Sequence, residues 1–171
     1  MESDEELVGR LAHGEEAALA ELLGRYERPL SSFLYRHTGG RDVEDLYQET
    51  WMRVVRSVER FDRERRFSTW LYKIALNLAR DWHRRPPPDA SDSDPAGDDS
   101  AELARAEAGI DVSRLLAELS EAHREVLILR FYHDLSEEQV AEILECPRGT
   151  VKSRMHHALA KLSERVKGAQ P

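Results

Sequence analysis

The chain has 171 residues, a length that suits one medium domain or two small ones. Its single cysteine, Cys146, excludes an internal disulfide, and its formal net charge of −8 argues, taken alone, against a nucleic-acid partner. No apolar stretch is long enough to span a membrane, and the acidic start MESDEELVGR does not have the pattern of a signal peptide. We therefore expect a cytoplasmic protein without membrane insertion.

The charges are distributed unevenly along the chain. Residues 1–50 carry 5 basic and 12 acidic side chains, whereas residues 51–88 carry 10 basic and 4 acidic ones. Residues 89–145 carry 4 basic and 16 acidic side chains, and residues 146–171 carry 6 basic and 1 acidic. Attraction to phosphate acts over roughly 8–10 Å, so these two basic islands matter more than the total charge.

The first 40 residues predict two helices. Ser3 with Glu6 three residues later forms a capping-box pattern for a short first helix, which Gly14 ends. A second apolar pattern follows, with a kink or a restart expected at Pro29, and the two glycines at 39–40 end it.

The segment DVEDLYQETWMRVVRSV, which begins at Asp42, predicts a third helix with two different faces. One wide face is expected to be buried and comprises Val43, Leu46, Tyr47, Thr50, Trp51, Val54, Val55 and Val58. The opposite face comprises Asp45, Gln48, Glu49, Met52 and Arg56. Such a face is usually only solvated, but a methionine among carboxylates indicates a protein contact.

The basic stretch FDRERRFSTWLYKIALNLARDWHRR, residues 61–85, predicts a loop followed by a helix capped by Ser68 or Thr69. Its apolar stripe comprises Leu71, Ile74, Ala75, Leu78 and Trp82. A second stripe comprises Trp70, Lys73, Asn77, Arg80 and Arg84. Aromatics stack on unpaired bases, amides bond base edges and cations meet phosphates, so this mixture suits single-stranded nucleic acid. The alternative is a solvated face with Trp70 packed at its margin.

The composition changes after these helices. The segment PPPDASDSDPAGDDSAE contains prolines and aspartates but no large apolar residue, which predicts a flexible acidic linker. From residue 110 the helical pattern returns, and LSEEQVAEILECPRGTVKSRMHHALAKL predicts a short capped helix, a proline-bounded turn and a longer basic helix. That order is typical of a helix-turn-helix. We therefore predict an all-α fold with two small helical domains, residues 1–86 and 110–168, joined by a linker at 87–109.

The final helix carries basic and hydroxyl side chains near its start. They are Arg148, Thr150, Lys152, Ser153, Arg154, His156 and His157. A recognition helix places such residues in the major groove, where arginine and lysine pair with guanine edges. The alternative is a basic helix that only packs.

Patterns typical of enzymes and metal sites are absent from the sequence. It contains no glycine-rich phosphate loop, no serine nucleophile elbow and no Cys/His set with metal spacing. We predict neither a catalytic residue nor a cofactor nor a metal.

Three segments of the sequence resemble a known protein family. The segments DVEDLYQETWMRVVRSV and RFSTWLYKIALNLARDWHRR resemble conserved region 2 of bacterial RNA polymerase sigma factors, and LSEEQVAEILECPRGTVKSRMHHALAKL resembles their region 4. The short acidic linker between them is similar to that of the compact extracytoplasmic-function (ECF) branch. The resemblance implies a non-enzymatic factor that binds core polymerase, directs it to −10 and −35 promoter elements and promotes DNA melting.

The resemblance also implies a role for each predicted site. The residues implied to contact the β′ clamp helices are Asp45, Gln48, Glu49 and Met52. The residues implied to capture and melt the −10 element are Arg63, Arg65, Arg66, Phe67, Ser68, Trp70, Lys73, Asn77, Arg80 and Arg84. The residues of the final helix given above are implied to bind the −35 element. Further implied partners are the β flap, duplex and single-stranded promoter DNA, and an anti-sigma factor.

Two departures from the family pattern stand out. Many relatives carry arginine where this chain has His157 and Leu159, which predicts weaker phosphate anchoring, and the loop DRERRFS is the family's variable specificity loop. Two other functions remain open on the sequence alone. One is a helix-turn-helix regulator that binds duplex DNA without polymerase, and the other is a nucleic-acid enzyme that uses the many carboxylates.

Overall fold

The computed structural model describes residues 2–85 and 112–168. Within these ranges the regular structure is helical and no strand occurs, so the all-α prediction is confirmed. The chain divides into two compact units, and the boundary between them falls within the stretch that is not described. The predicted linker, residues 87–109, lies outside the described residues, so the proposed domain boundaries remain a prediction.

The first unit contains four α-helices and one short 3-10 turn. Their bounds are α1 Asp4–Ala12, α2 Glu16–Thr38, α3 Val43–Ser57, the 3-10 turn Val58–Arg60 and α4 Phe67–Arg84. The predicted capping box is present, because Ser3 Oγ accepts from the Glu6 amide at 3.2 Å and the Glu6 carboxylate accepts from the Ser3 amide at 2.7 Å. A kink or a restart was expected at Pro29; α2 continues through this residue, so the helix does not restart there.

An aromatic cluster joins α2, α3 and α4 in the first unit. Phe67 is completely buried at its centre, with ring centroids 5.5 Å from Tyr26, 6.3 Å from Trp51, 6.1 Å from Phe61 and 6.0 Å from Trp70. Edge and tilted contacts at these separations add to the energy of burial. The cluster therefore fixes the start of α4 against the two preceding helices.

Helix α1 is attached to α2 through one carboxylate. The Tyr26 hydroxyl donates to Asp4 Oδ2 at 2.5 Å, and Arg25 Nη1 bonds Asp4 Oδ1 at 2.6 Å. Burial of the ring, together with the Asp4 carboxylate, raises the pKa of Tyr26, so the hydroxyl stays protonated and donates at any ordinary pH. Leu7 and Val8 pack beneath these contacts as part of the core.

Three expectations about α3 and α4 were wrong in detail. Helix α4 begins at Phe67 after Arg66, rather than behind a cap at Ser68 or Thr69, because the Phe67 side chain is drawn into the core. Val55 was expected to be buried but is 43% exposed. Of the predicted apolar stripe of α4, Leu71, Ala75 and Leu78 are buried, whereas Ile74 and Trp82 are only partly covered.

The second unit has the predicted helix-turn-helix. Its elements are α5 Val112–Ala117, α6 Glu121–Leu127, a π-helical turn Ile128–Tyr132, α7 Glu137–Leu144 and α8 Arg148–Gly168. The second capping box is confirmed, because Ser136 Oγ accepts from the Gln139 amide at 3.2 Å. Glu145 adopts a left-handed conformation with φ 52°, which ends α7 and allows the turn.

The core of the second unit lies between α6, α7 and the first half of α8. Its fully or almost fully buried members are Val126, Ile128, Leu129, Val140, Ile143, Val151 and Ala158. The stripe predicted for α8 was longer, but Met155, Leu162 and Val166 are only partly covered. Within the two described ranges, no helix combines the length and the apolar character needed to cross a bilayer.

The substitution Phe67→Ala tests whether Phe67 is the central residue of the aromatic cluster in the first unit. Removing a fully buried phenylalanine should destabilise the first unit by about 3–5 kcal/mol, since the cavity cannot be refilled by its neighbours. The three tryptophans, at positions 51, 70 and 82, all belong to the first unit, so urea unfolding followed by tryptophan fluorescence measures its stability. The control Met52→Ala, at a position 47% exposed, should shift the midpoint little.

Candidate functional site

The outer face of α3 carries an unusual combination of side chains. Leu46, Thr50, Trp51 and Val54 are buried on the inner side, and the exposed positions of α3 lie on the opposite side. Asp45, Gln48 and Met52 are exposed, and Glu49 is partly exposed and bonds Arg53 Nε at 3.1 Å. Val55 extends the apolar part of this face beyond Met52. The four residues predicted for polymerase contact therefore share one accessible face that is both acidic and apolar.

The predicted −10 residues lie on the 61–66 loop and on one side of α4. Arg63, Arg65, Arg66, Asn77 and Arg84 are exposed, and Ser68, Trp70, Lys73 and Arg80 are partly exposed. Phe67 is the exception. It is 0% exposed, so the prediction that it contacts DNA was wrong. The family resemblance had placed Phe67 among the −10 residues, and a resemblance does not indicate that this ring is at the centre of the core.

Trp70 and Asn77 occupy different environments on this side of α4. Trp70 packs on Phe61 with ring centroids 4.9 Å apart at 40°, so part of the indole is fixed by the core while the rest stays accessible. Asn77 is exposed, and its amide has no hydrogen-bond partner among the described residues. Stacking on a base requires an aromatic ring in a fixed orientation, as in Trp70, and recognition of a base edge requires an accessible amide, as in Asn77.

The far end of α4 is anchored by contacts that the sequence did not indicate. Trp82 Nε1 donates to Asp42 Oδ2 at 2.7 Å, and the Arg41 guanidinium lies 4.7 Å from the centre of the Trp82 ring. A ring nitrogen of His83 bonds the carbonyl oxygen of His37 at 2.7 Å. These contacts attach the end of α4 to the α2–α3 connection, so the basic stripe lies on a helix fixed at this end.

The predicted −35 residues line the first three turns of α8. Lys152, Ser153, His156 and His157 are exposed together with Arg148, and Thr150 and Arg154 are partly exposed. The Ser153 hydroxyl and His157 Nδ1 lie 3.4 Å apart. His157 also lies beside His123 of α6, with ring centroids 6.3 Å apart; burial, followed by Lys161 and His157, lowers the pKa of His123.

Two of these cations are already paired within the second unit. Arg148 Nε bonds Glu137 Oε2 at 2.8 Å, Arg148 Nη1 bonds Glu138 Oε1 at 2.6 Å, and Lys152 Nζ lies 3.7 Å from Glu137. The Arg148 hydrogen bond lowers the pKa of Glu137, so the carboxylate is ionised near neutral pH. DNA contact by Arg148 or Lys152 would have to compete with these carboxylates at the start of α7.

No metal-binding cluster occurs in the described part of the chain. Groups of three or more His, Cys, Asp or Glu side chains close enough to hold an ion are not found there.

Comparison with known proteins identifies two family regions. Residues 22–86 match the sigma-70 region 2 model, and residues 115–164 match the sigma-70 region 4 model. The ECF RNA polymerase sigma-E factor of Haemophilus influenzae is 32% identical over 180 residues, covering 96% of this chain and 95% of that protein. The sigma-E factor of Escherichia coli K12 is 32% identical over 182 residues, covering 96% of this chain and 94% of that protein.

The chain belongs to the ECF branch of the sigma-70 family. The structure of CnrH in complex with the cytosolic domain of CnrY is similar, with a TM-score of 0.79 and 26% identity, covering 99% of this chain and all of that one. RpoE of Bartonella quintana, solved with the anti-sigma factor NepR, has a TM-score of 0.70 at 23% identity and supports the fold alone. The chain is thus a sigma factor, a class of non-catalytic initiation factors that direct RNA polymerase to promoters.

Glu137→Gln should strengthen promoter binding by this sigma factor. The substitution removes one negative charge beside the residues predicted to contact the −35 element, and with it the ion pairs of Glu137 with Arg148 and Lys152; Arg148 keeps its ion pair with Glu138. Because the ion pairs are exposed, the gain in affinity should be modest, about two- to fivefold, and the same on all −35 sequences. Fluorescence anisotropy of holoenzyme on labelled promoter duplexes at several salt concentrations measures both the affinity and its salt dependence.

The matched control is Glu164→Gln, an equal change of charge later in α8. Glu164 is exposed and has no ion-pair or hydrogen-bond partner in the described ranges. It should change affinity less than Glu137→Gln does. Weaker binding by Glu137→Gln would instead show that the carboxylate holds Arg148 in the orientation that DNA requires.

Proposed function

We propose that this sigma factor uses three separate surfaces during initiation. The outer face of α3 binds the β′ clamp helices, the 61–66 loop and the outer side of α4 capture the −10 element, and the first turns of α8 read the −35 element. One observation carries this division most strongly. Within the first unit an acidic, apolar face and a basic, amide-bearing face lie on neighbouring helices, α3 and α4, that share one core.

The proposed polymerase contact rests on the chemistry of α3. Protein interfaces favour methionine and accessible apolar surface with charges at the margin, and Met52 and Val55 with Asp45 and Glu49 provide that pattern. Neither Asp45 nor Glu49 contacts the core of the first unit. Their substitution can therefore separate loss of binding from loss of folding.

Charge reversal tests this contact. The double variant Asp45→Lys with Glu49→Lys should abolish holoenzyme assembly, because two like charges then face a partner selected for opposite ones. Co-purification with core polymerase measures assembly, and circular dichroism checks that the helices remain. The control Glu16→Lys with Glu164→Lys makes the same charge change at exposed positions that belong neither to α3 nor to the turn after it. Unchanged affinity of the α3 variant for core polymerase would exclude this face.

The proposed melting function rests on differential binding. Without an energy source, a sigma factor can open DNA only by binding the open form better than the closed form. Extruding a base costs a few kcal/mol, which stacking and hydrogen bonds to the freed base must offset. The exposed amide of Asn77 can both donate to and accept from a base edge, and the cations at positions 73, 80 and 84 of the same stripe are suited to nearby phosphates.

Asn77→Ala should slow open-complex formation and relax the base preference at one −10 position. Holoenzyme should still bind the closed promoter, since the proposed −35 contact lies in the second unit. A template with a pre-melted −10 bubble should restore most of the opening rate but not the preference. Permanganate footprinting on duplex and bubble templates makes this comparison. Wild-type opening together with unchanged preference would assign Asn77 to a merely solvated face.

For the −35 element, the geometry favours some of the predicted residues over others. Ser153, Arg154 and His156 are the candidates for base contact, whereas Arg148 and Lys152 must first exchange a carboxylate for DNA. A base contact would affect particular −35 sequences, and a phosphate contact would affect all of them alike. We assign Arg148 and Lys152 mainly to phosphates.

The remaining assignments follow from the family. We propose that the protein is not an enzyme, that it acts in the cytoplasm and lies on the nucleoid when bound to polymerase, and that the β flap is a second polymerase contact. An anti-sigma factor is a further proposed partner. This is supported by the similar CnrH, which was solved in complex with the cytosolic domain of CnrY.

A further inference from the structure

The start of α4 lacks the capping group that its own sequence would be expected to supply. Its N-cap residue, Arg66, makes no side-chain cap hydrogen bond, and the first turn contains no acidic residue. The unpaired amides and the positive end of the helix dipole at such a terminus favour a carboxylate or another acceptor. In this protein the acceptor comes from α1, since the Phe67 amide donates to Glu5 Oε1 at 2.9 Å across 62 residues of sequence.

A second contact links α1 to the same loop. The Arg63 guanidinium lies over Gly9, close enough that a Cβ at Gly9 would meet Nη1 at 3.1 Å and Cζ at 3.2 Å. Gly9 is itself buried in α1. Any larger residue at position 9 would push the Arg63 side chain outward. Helix α1 therefore contacts the loop at Arg63 and the start of α4 at Phe67.

Helix α1 is itself firmly held, so it can act as a support. Its capping box fixes its start, the Asp4 carboxylate bonds both Arg25 and Tyr26 of α2, and its apolar side is buried. It also lies before residue 22, where the region 2 match begins. The support for the loop is thus outside the segment that the family model describes.

We infer that Glu5 and Gly9 are positioning residues for recognition of the −10 element. The contact from Glu5 to the start of α4, and the space that Gly9 leaves for Arg63, set the orientation of the 61–66 loop relative to Asn77. This inference rests on the proposed function, in which that loop and Asn77 hold the extruded base. A loop that both contacts fix before DNA binds loses less conformational entropy on binding. Substitutions in α1 should then alter base preference although no residue of α1 is among those proposed to contact DNA.

A purely stabilising role makes a different prediction. In that case loss of the Glu5 contact would lower the melting temperature and reduce transcription from all promoters in the same proportion. A positioning role changes the ranking of −10 sequences, and the change persists on templates that are already melted. Base preference on a pre-melted template is therefore the informative measurement.

The experiment uses the full chain with core polymerase and a library of −10 sequences behind a constant −35 element, as duplex and as pre-melted templates. Glu5→Ala should reduce the preference for the best −10 sequence by about three- to tenfold. Glu5→Gln retains an oxygen acceptor and should recover most of the preference. Gly9→Ala displaces Arg63 and should change the ranking with little loss of stability. The control Glu16→Ala, an exposed glutamate in the first turn of α2, should behave as wild type.

The outcomes separate the inference from the function on which it rests. Asn77→Ala and Arg65→Ala are measured on the same library; if neither changes base preference, the proposed −10 function fails. If they change it while Glu5→Ala and Gly9→Ala match Glu16→Ala, only the inference about α1 fails. A uniform loss across all sequences and both templates, in step with a lower melting temperature, also overturns the inference. Altered ranking in both α1 variants supports it.

Discussion

The burial of Phe67 is the constraint on which the first unit depends. Its ring joins Tyr26 of α2, Trp51 of α3 and Trp70 of α4, so one side chain fixes three helices relative to one another. Because the inner faces of α3 and α4 meet this cluster, their polar faces must point outward. The acidic and apolar surface of α3 and the basic surface of α4 are thus separated by the geometry of a single core. A sigma factor can then present different faces to polymerase and to DNA.

Local patterns in the sequence predicted most of the fold. Both capping boxes and the helix-turn-helix depend on residues that are close in sequence, and these were confirmed. Burial of particular side chains was less predictable. Val55 was misassigned because spacing indicates a face of a helix but not how far the neighbouring helices cover it. Phe67 was placed at the DNA surface by the family resemblance, which does not indicate the burial of a single side chain.

The candidate site shows the same limit. The exposed positions of Asn77 on α4 and Met52 on α3 agree with the stripes on which the sequence placed them. The contact from Glu5 to Phe67 spans 62 residues, and the pairing of Arg148 with Glu137 crosses the turn of the helix-turn-helix. Such contacts depend on tertiary geometry and have no periodicity in the sequence. Exposure alone does not indicate which cations can bind DNA, since a cation in an ion pair is less available to DNA than one without a partner.

The turn between α7 and α8 has a practical consequence. It contains Cys146, which is partly exposed and is the sole thiol of the chain. A maleimide dye will therefore attach at one site without any engineered cysteine and without removal of others. That site lies two residues before the first turn of α8, outside the residues proposed to contact DNA. Energy transfer from this dye to an acceptor on the promoter can then follow the arrival and departure of the second unit during initiation, molecule by molecule.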